Sequence, residues 1–353
     1  MTDLQALVDK ATAGHSLTRE EARAALRQIL TGNHEDALIA SLLTAMADRG
    51  ETAEELAGFA ESMRELSIPM PFTPEERLSL VDTCGTGGAG DGTFNISTAS
   101  ALVAAAAGAK VAKHGNRAIT SKCGSADVLE AMQIPVALTP QQSVECLRAT
   151  GFAFLYAPAL HPAMKRVQPI RRTIGRRTLF NLAGPLTNPA GASAQVMGVY
   201  SSDKIVVVAH ALALLGVRHA LVVHGAGGLD ELTLTGPSEV AEVRDGVVRE
   251  YHLQPEDTGL APCTLADLQG ADTAEDNAAI LQSIFAGETG PRRDIVLLNA
   301  AAALVVSRLA ANLREGIVQC AAAIDSGAAA KTMTQLQEFG RQIFAQEAIH
   351  PIQ

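Results

Sequence analysis

The chain has 353 residues, 47% of them hydrophobic, so it can bury a substantial core, and its formal net charge is −10. Aromatic residues make up only 3%, and this acidic, aromatic-poor balance argues against a nucleic-acid-binding protein. Five scattered cysteines without a Cys-x-x-Cys pair indicate neither a zinc site nor a disulfide framework. The chain starts without a signal-peptide pattern, and its most apolar stretch, residues 295–306, is too short to span a membrane. We therefore expect a cytoplasmic protein without membrane or nucleic-acid partners.

The N-terminal part of the chain predicts helices. Thr18 and Glu21 have the spacing of a capping box in front of an apolar stripe that ends at Gly32. Two further stretches of helical periodicity follow, at residues 36–50 and from Thr52 onward. No cluster of charges there suggests chemistry, so we expect a helical module that packs or dimerises.

From about Leu78 the pattern changes to short apolar strands alternating with helices. The clearest strand candidates are residues 152–156, 195–200 and 219–224. This alternation predicts an α/β domain with a mainly parallel central sheet flanked by helices. One exception is residues 239–253, where Asp245-Gly246 separates two strand-like runs and predicts a hairpin.

A glycine-rich segment at residues 82–98 reads Asp-Thr-Cys-Gly-Thr-Gly-Gly-Ala-Gly-Asp-Gly-Thr-Phe-Asn-Ile-Ser-Thr. Glycines let backbone N–H groups converge on a ligand. The hydroxyls of Ser97 and Thr98 stand where a helix should begin, and a helix start attracts anions. The segment is neither a Walker loop nor a clear dinucleotide fingerprint. It predicts a phosphate cradle, with a glycine-rich surface loop as the alternative.

A second motif, Lys113-His114-Gly115-Asn116-Arg117, follows a short apolar stretch and is expected at the carboxyl end of a strand. It combines cationic donors with directional hydrogen-bonding groups. Further hydroxyls follow it at Thr120, Ser121 and Ser125. Together the two motifs predict a phosphate-rich ligand with a second, aromatic or polar, partner.

Both motifs resemble those of the anthranilate phosphoribosyltransferase family. Further segments are similar to that family in the same order, namely residues 123–130, 157–158, 161–165 and 171–178, then Phe-Asn-Leu-Ala-Gly-Pro-Leu-Thr-Asn-Pro at 180–189, and finally residues 224–231. The resemblance spans nearly the whole chain. One departure is Ala89, which stands where the family loop usually has Asp, with Asp91 nearby.

The resemblance implies transfer of a phosphoribosyl group from 5-phosphoribosyl 1-diphosphate (PRPP) to anthranilate, a step of tryptophan biosynthesis. It implies a small N-terminal helical domain, residues 1–70, joined in space by helices near 163–180, and a larger α/β domain, residues 71–353. It also implies a homodimer that pairs through the helical domain.

The resemblance further implies the residues of the site. The expected PRPP-binding residues are Gly85, Gly88, Thr93, Asn95, Ile96, Ser97, Thr98, Lys113, His114, Gly115, Asn116, Arg117, Ala118, Ile119, Thr120, Ser121 and Ser125. The expected anthranilate-binding residues are Gly85, His114, Asn116 and Arg171. Composition alone would place Arg171 on a solvated helix face. No residue is expected to act as a general acid or base, because the aromatic amine of the acceptor is mostly neutral at pH 7.

The expected cofactor is Mg²⁺, two ions per active site, bound by Ser97, Asp230 and Glu231. The acids follow a glycine-rich loop at the end of a predicted strand, and the rest of the site offers few carboxylates. An exposed acidic pair is the alternative for these two residues.

Two alternative functions share this type of fold. Pyrimidine nucleoside phosphorylases have a related glycine-rich loop but would need a different nucleoside site. Nucleic-acid-binding relatives should be basic, and the net charge of −10 argues against them.

Overall fold

The fold is described by a computed structural model that covers residues 3–87, 92–118 and 122–349. The predicted site residues Gly88, Ile119, Thr120 and Ser121 therefore lie outside the described residues, as do Ala89 and Asp91 of the glycine-rich loop.

The N-terminal helices are α1 (Leu4–Thr12), α2 (Arg19–Thr31), α3 (Asp36–Arg49) and α4 (Ala53–Glu65). The predicted capping box of α2 is present, since Thr18 Oγ1 accepts from the Glu21 N–H and the Glu21 carboxylate accepts from the Thr18 N–H. A second capping box pairs Thr52 with Glu55 at the start of α4. These caps and the apolar stripes they precede explain why this part of the chain is helical.

The described residues form one sheet of seven strands. The strands are β1 (Leu80–Asp82), β2 (Lys110–Gly115), β3 (Phe152–Tyr156), β4 (Ala194–Gly198), β5 (His219–Gly225), β6 (Ser238–Arg244) and β7 (Val247–Leu253). Their order in space is β3-β2-β1-β4-β5-β6-β7. The first five are parallel, and β6 and β7 continue the sheet as an antiparallel hairpin. The predicted mainly parallel sheet with a hairpin is confirmed.

Thirteen further α-helices lie in the described part of the chain after α4. They are α5 (Pro74–Ser79), α6 (Ile96–Ala106), α7 (Ser125–Ala131), α8 (Pro140–Thr150), α9 (Ala157–Leu160), α10 (Gln168–Ile174), α11 (Leu179–Ala183), α12 (Ile205–Leu214), α13 (Pro255–Thr258), α14 (Ala274–Phe285), α15 (Pro291–Val306), α16 (Leu313–Asp325) and α17 (Ala328–Ile349). Short 3₁₀ helices lie at Pro162–Arg166, Gly184–Thr187, Ser202–Lys204 and Leu265–Leu268. Within the described chain, none of the helices is both long and apolar enough for a membrane crossing.

The segment around α10 packs against the N-terminal helices. Arg166 donates to Asp36 Oδ1 at 2.7 Å, and Arg176 donates to Asp48 Oδ1 at 2.6 Å. A buried apolar cluster is shared by α1 to α4, α10 to α12 and one face of the sheet. On these contacts we propose that residues 1–70 and the helices near 163–180 form one helical domain, and that the rest of 71–353 forms the α/β domain.

Candidate active site

The candidate site lies where the strand order of the sheet reverses. The chain adds β2 and β3 on one side of β1 and then places β4 and β5 on the other side. Val81 of β1 therefore pairs with both Val111 of β2 and Ala194 of β4. In open parallel sheets, ligands bind at the carboxyl ends of the strands at such a reversal. The segments that follow β1, β2 and β5 are those that the sequence singled out.

The first part of the glycine-rich loop follows β1 and is fixed by its backbone. The Thr86 N–H donates to the Gly198 carbonyl at 2.9 Å, and the Gly87 N–H donates to Asp230 Oδ2 at 2.8 Å. A Cβ on Gly85 would lie 3.0 Å from the Gly198 carbonyl oxygen and 3.1 Å from Asp230 Oδ2. Glycine at position 85 therefore allows the loop to approach both the end of β4 and the acidic loop closely.

Lys113 brings a positive charge under this loop. Its Nζ lies 3.1 Å from both the carbonyl oxygen and Oγ1 of Thr83, and 3.3 Å from Ser97 Oγ. The side chain is only 1% exposed, and no carboxylate among the described residues lies within ion-pair distance of it. The motif of Lys113 is at the carboxyl end of β2, as predicted, although residues 113–115 belong to the strand itself. A buried ammonium held by neutral oxygens is suited to an anionic ligand.

The start of α6 lies at the same candidate site as the glycine-rich loop and Lys113. Asn95 precedes the helix without capping it through its side chain, although its Nδ2 donates to the Cys123 carbonyl. Asn95 Oδ1 and Thr98 Oγ1 are buried and have no hydrogen-bond partner within the described part of the chain. Buried polar atoms normally have partners, so these two side-chain oxygens are available to a ligand.

The acidic pair lies beside Lys113. Burial raises the pKa of Asp230 above its usual range, although the Gly87 N–H partly opposes this. Burial and the neighbouring Asp230 raise the pKa of Glu231 to about 8, against the lowering effect of Lys113 and the Ser97 N–H. Two carboxylates that water cannot solvate well are stabilised by a cation between them.

A divalent cation fits these residues. Asp230, Glu231 and Ser97 line one small pocket, together with Thr83, Gly85 and Asn299. Among the described residues, no cluster of three or more His, Cys, Asp or Glu side chains could hold a metal ion. Mg²⁺ is commonly bound by one or two carboxylates and completes its shell with substrate phosphates and water. The pair therefore suits an ion that arrives with a phosphorylated substrate.

The expected acceptor residues lie on two different segments. Arg171 of α10 is half-buried, with its guanidinium 5.5 Å from the centre of the Phe180 ring and no hydrogen bond or ion pair to any described residue. His114 is 3% exposed, and its ring packs edge-on against His161 at 5.2 Å. Burial, followed by the neighbouring His161, lowers the pKa of His114 to about 3, so the imidazole is neutral at pH 7.

The polar groups at the exposed end of the second motif already have partners within the protein. Arg117 forms ion pairs with Asp127 at 3.1 Å and Glu130 at 2.6 Å on α7. Asn116 Oδ1 accepts from the Arg117 N–H, and Asp127 also accepts from the Ala118 N–H. A phosphate contact by the Arg117 side chain would require it to leave these carboxylates. The other predicted residues of this wall are half-buried, namely Thr93, Gly115 and Ser125, whereas Ile96 is buried.

Three asparagine or aspartate side chains beside the site were not predicted. Asp82 and Asn188 are buried at the base of the glycine-rich loop and hydrogen-bond to each other. Asn299 of α15 exchanges hydrogen bonds with the backbone of Leu232 and so fixes the residue after the acidic pair. In the sequence, each of these residues is a polar residue next to or inside an apolar run. That pattern indicates a buried side chain but does not identify its hydrogen-bond partner.

A helical bundle joined to an α/β domain, with an ammonium, hydroxyls and paired carboxylates at the strand reversal, is the architecture of a class of glycosyl transferases. Residues 5–67 match the "Glycosyl transferase family, helical bundle domain", and residues 77–330 match the "Glycosyl transferase family, a/b domain".

The chain is 49% identical over 345 residues to anthranilate phosphoribosyltransferase of Symbiobacterium thermophilum, covering 98% of this chain and 100% of the relative. It is 51% identical over 341 residues to that of Pelotomaculum thermopropionicum, covering 97% and 98%. The chain therefore belongs to the anthranilate phosphoribosyltransferase family, and the predicted family is confirmed.

Solved structures of this family have the same fold. The enzyme from Thermus thermophilus superposes with a TM-score of 0.88 at 42% identity, covering 95% of this chain and 99% of that one. The enzyme from Saccharomyces cerevisiae, solved in complex with PRPP and Mg, superposes with a TM-score of 0.83 at 27% identity, covering 96% and 98%. The same yeast enzyme was also solved with 4-fluoroanthranilate, at a TM-score of 0.82 and 26% identity, covering 96% and 98%.

Proposed function

We propose that this protein transfers the phosphoribosyl group of PRPP to the amino group of anthranilate, which gives N-(5-phosphoribosyl)anthranilate and diphosphate in tryptophan biosynthesis. The observation that carries the proposal is the buried Lys113 ammonium beside the Asp230 and Glu231 pair, at the strand reversal of a chain about half identical to anthranilate phosphoribosyltransferases. Departure of diphosphate leaves positive charge on the ribose ring. The site must therefore stabilise the leaving group and hold the amine in line.

The diphosphate would bind between the glycine-rich loop and the start of α6. Lys113 would contribute charge, while Asn95, Ser97 and Thr98 would contribute side-chain and backbone donors. The unpartnered Thr98 hydroxyl supports this assignment, because a hydroxyl can donate to a phosphate oxygen. The ribose 5-phosphate would lie against residues 115–125, mainly through backbone N–H groups and hydroxyls, because Arg117 is already ion-paired.

Mg²⁺, two ions per site, would be held by Asp230, Glu231 and Ser97 together with phosphate oxygens. When bound, the ions neutralise charge that develops on the leaving diphosphate. The support on this chain is that these residues share one pocket and that burial raises the pKa of both carboxyl groups.

Anthranilate would be held by the Arg171 guanidinium through its carboxylate, with His114, Asn116 and the backbone at Gly85 around its ring and amine. Arg171 has no protein hydrogen-bond partner among the described residues, and a guanidinium matches a carboxylate with two parallel hydrogen bonds. Neutral, buried His114 is a weak base, so we assign it to positioning rather than proton abstraction.

We also propose that the protein is a cytoplasmic homodimer that pairs through the helical domain. A shallow surface between α1 and α3, lined by Gln5, Ala37 and Leu38, is the candidate contact. Light scattering coupled to gel filtration would give twice the chain mass of 36.8 kDa for a dimer. A single-chain mass at micromolar concentration would exclude it.

The activity is tested by following anthranilate fluorescence after addition of PRPP and Mg²⁺. The fluorescence should fall only when all three components and the protein are present. Omission of PRPP, or of Mg²⁺ with a chelator present, is the matched control. No change over a range of pH and metal conditions would overturn the proposal.

A further inference from the structure

Asp82 is a buried carboxylate that the reaction does not use directly. It ends β1, immediately before the glycine-rich loop, and its side chain is 0% exposed. Burial raises its pKa to about 6, although Lys113 and the Asn188 amide oppose this, so it is mostly ionised at pH 7. A buried ionised group is costly unless several donors surround it.

Three donors from three separate segments meet this carboxylate. Oδ1 accepts from the Cys84 N–H in the glycine-rich loop and from the His114 N–H in the second motif, both at 3.1 Å. Oδ2 accepts from Asn188 Nδ2 at 2.7 Å. Asn188 in turn donates to the Ala112 carbonyl at 2.8 Å. The connections therefore form a closed network at the base of the site.

These bonds fix the backbone of two segments that face the ligand, the glycine-rich loop and the segment that carries Lys113. His114 follows Lys113, whose Nζ bonds to Thr83 and Ser97. Fixing the backbone at positions 84 and 114 therefore fixes the separation between the loop and the lysine that faces it. The two segments are joined through one carboxylate that accepts a hydrogen bond from each of them. Such charge-assisted bonds hold the segments more rigidly than direct contact between two loops would.

We propose that Asp82 is a positioning residue that holds the glycine-rich loop and the Lys113 segment in register for the diphosphate of PRPP. This rests on the proposed function. Asp82 lies beneath the site and acts through the two backbone segments it joins. The part of PRPP that it affects is the diphosphate, so its loss should change PRPP binding and turnover more than anthranilate binding.

The test is steady-state kinetics of the full chain, measured well below the melting temperature of each variant. Asp82→Asn has the same shape but removes the negative charge that strengthens the bonds from the Cys84 and His114 N–H groups. It also turns an N–H donor toward the Asn188 amide, so two donors face each other. We expect kcat/KM for PRPP to fall roughly tenfold or more, with a smaller change in KM for anthranilate. Val81→Ala, at the preceding fully buried position, is the matched control for lost stability. Val81→Ala should keep KM for PRPP within about twofold, even if its melting temperature falls as far as that of Asp82→Asn.

A second variant pair separates positioning from general damage. Asn188→Ala removes one of the three donors and should lower kcat/KM for PRPP less than Asp82→Asn does. If Asp82→Asn does not fold, Asn188→Ala replaces it as the test variant. The double variant Asp82→Asn/Asn188→Asp restores a donor facing an acceptor at this pair but loses the bond to the Ala112 carbonyl, so it should recover only part of the loss. Wild-type PRPP kinetics in both Asp82→Asn and Asn188→Ala, or an equal change in Val81→Ala, would overturn the positioning role. Inactive wild-type protein would instead overturn the proposed function itself.

Discussion

Arg171 is the residue on which recognition of the acceptor depends most. Its guanidinium packs on Phe180, and the described residues give it no carboxylate partner. We expect Arg171→Ala to raise KM for anthranilate about 10- to 150-fold, which corresponds to roughly 1.5–3 kcal/mol for a charge-assisted hydrogen bond. KM for PRPP should change little. The control is Arg172→Ala at the exposed neighbouring position. Equal increases in KM for both substrates would contradict the assignment.

Asp230 and Glu231 are the residues on which the metal assignment depends. Replacing both with Ala should move the Mg²⁺ concentration for half-maximal activity upward while the far-UV circular dichroism stays unchanged, because two hard oxygen ligands are lost. Activity is titrated against Mg²⁺ at saturating PRPP and anthranilate. Glu239→Gln, at an exposed position on β6, is the control. A wild-type titration curve for the double variant would show that these acids do not bind the metal.

At the scale of elements, the sequence could predict what short-range chemistry determines. The capping box of Thr18 and Glu21 and the turn at Asp245-Gly246 are formed by residues close in the chain, and both are present. The junction of Asp82 with Asn188 could not be predicted, because it joins positions 106 residues apart. The same holds for β4, whose place beside β1 depends on how the whole sheet is ordered.

The sequence also predicts some parts of the candidate site and not others. The glycine-rich loop and the acidic pair carry recognisable motifs, and the structure brings Ser97, Asp230 and Glu231 to one pocket. The Asn299 side chain that fixes the Leu232 backbone carries no such local signal, because its function depends on the packing of α15 against the sheet.

The N-terminal bundle depends on one buried acid. Glu55 is 0% exposed and accepts hydrogen bonds from the Leu17 N–H at 2.8 Å, the Thr52 N–H at 2.9 Å and Arg49 Nη2 at 2.5 Å. Glu55→Ala leaves these donors unpaired and should lower the free energy of unfolding by about 3–5 kcal/mol. Urea unfolding measures this loss. Glu54→Ala, at an exposed position of the same turn, should cost less than about 1 kcal/mol. Similar stabilities of the two variants would contradict this role.

His161, whose ring packs edge-on against His114, predicts how stability depends on pH. Burial lowers the pKa of His161 to about 4, whereas the unfolded chain protonates near the usual value of 6.5. Because the unfolded state binds the proton first, the contribution is complete above pH 6.5 and is lost as the pH falls toward 4. Between pH 7.5 and 5, His161→Gln should therefore lose about 2 kcal/mol less than the wild type in free energy of unfolding.

Urea unfolding at the two pH values measures this difference. The matched control is His210→Gln at an exposed position. The buried Asp82 acts in the opposite direction, since its raised pKa makes the folded state bind a proton first between about pH 4 and 6. That contribution is the same in the wild type and in His161→Gln, so it cancels in the comparison. An unchanged pH dependence in His161→Gln would contradict the buried, neutral state of this ring.

At the scale of the whole molecule, the sheet reversal brings together groups from distant parts of the chain. The glycine-rich loop follows β1, Lys113 lies on β2 and the acidic pair follows β5. The N-terminal bundle packs against the segment that carries Arg171, with Arg176 bonded to Asp48. The acceptor residue therefore lies at the junction of the bundle with the α/β domain.

The most direct test of the account is product identification by mass spectrometry, with diphosphate measured in the same reaction. Purified protein is incubated with anthranilate, PRPP and Mg²⁺. The account predicts equal amounts of N-(5-phosphoribosyl)anthranilate and diphosphate, both dependent on anthranilate. Diphosphate release without the N-glycosidic product, or phosphate-dependent cleavage of a pyrimidine nucleoside with no turnover of anthranilate, would contradict it.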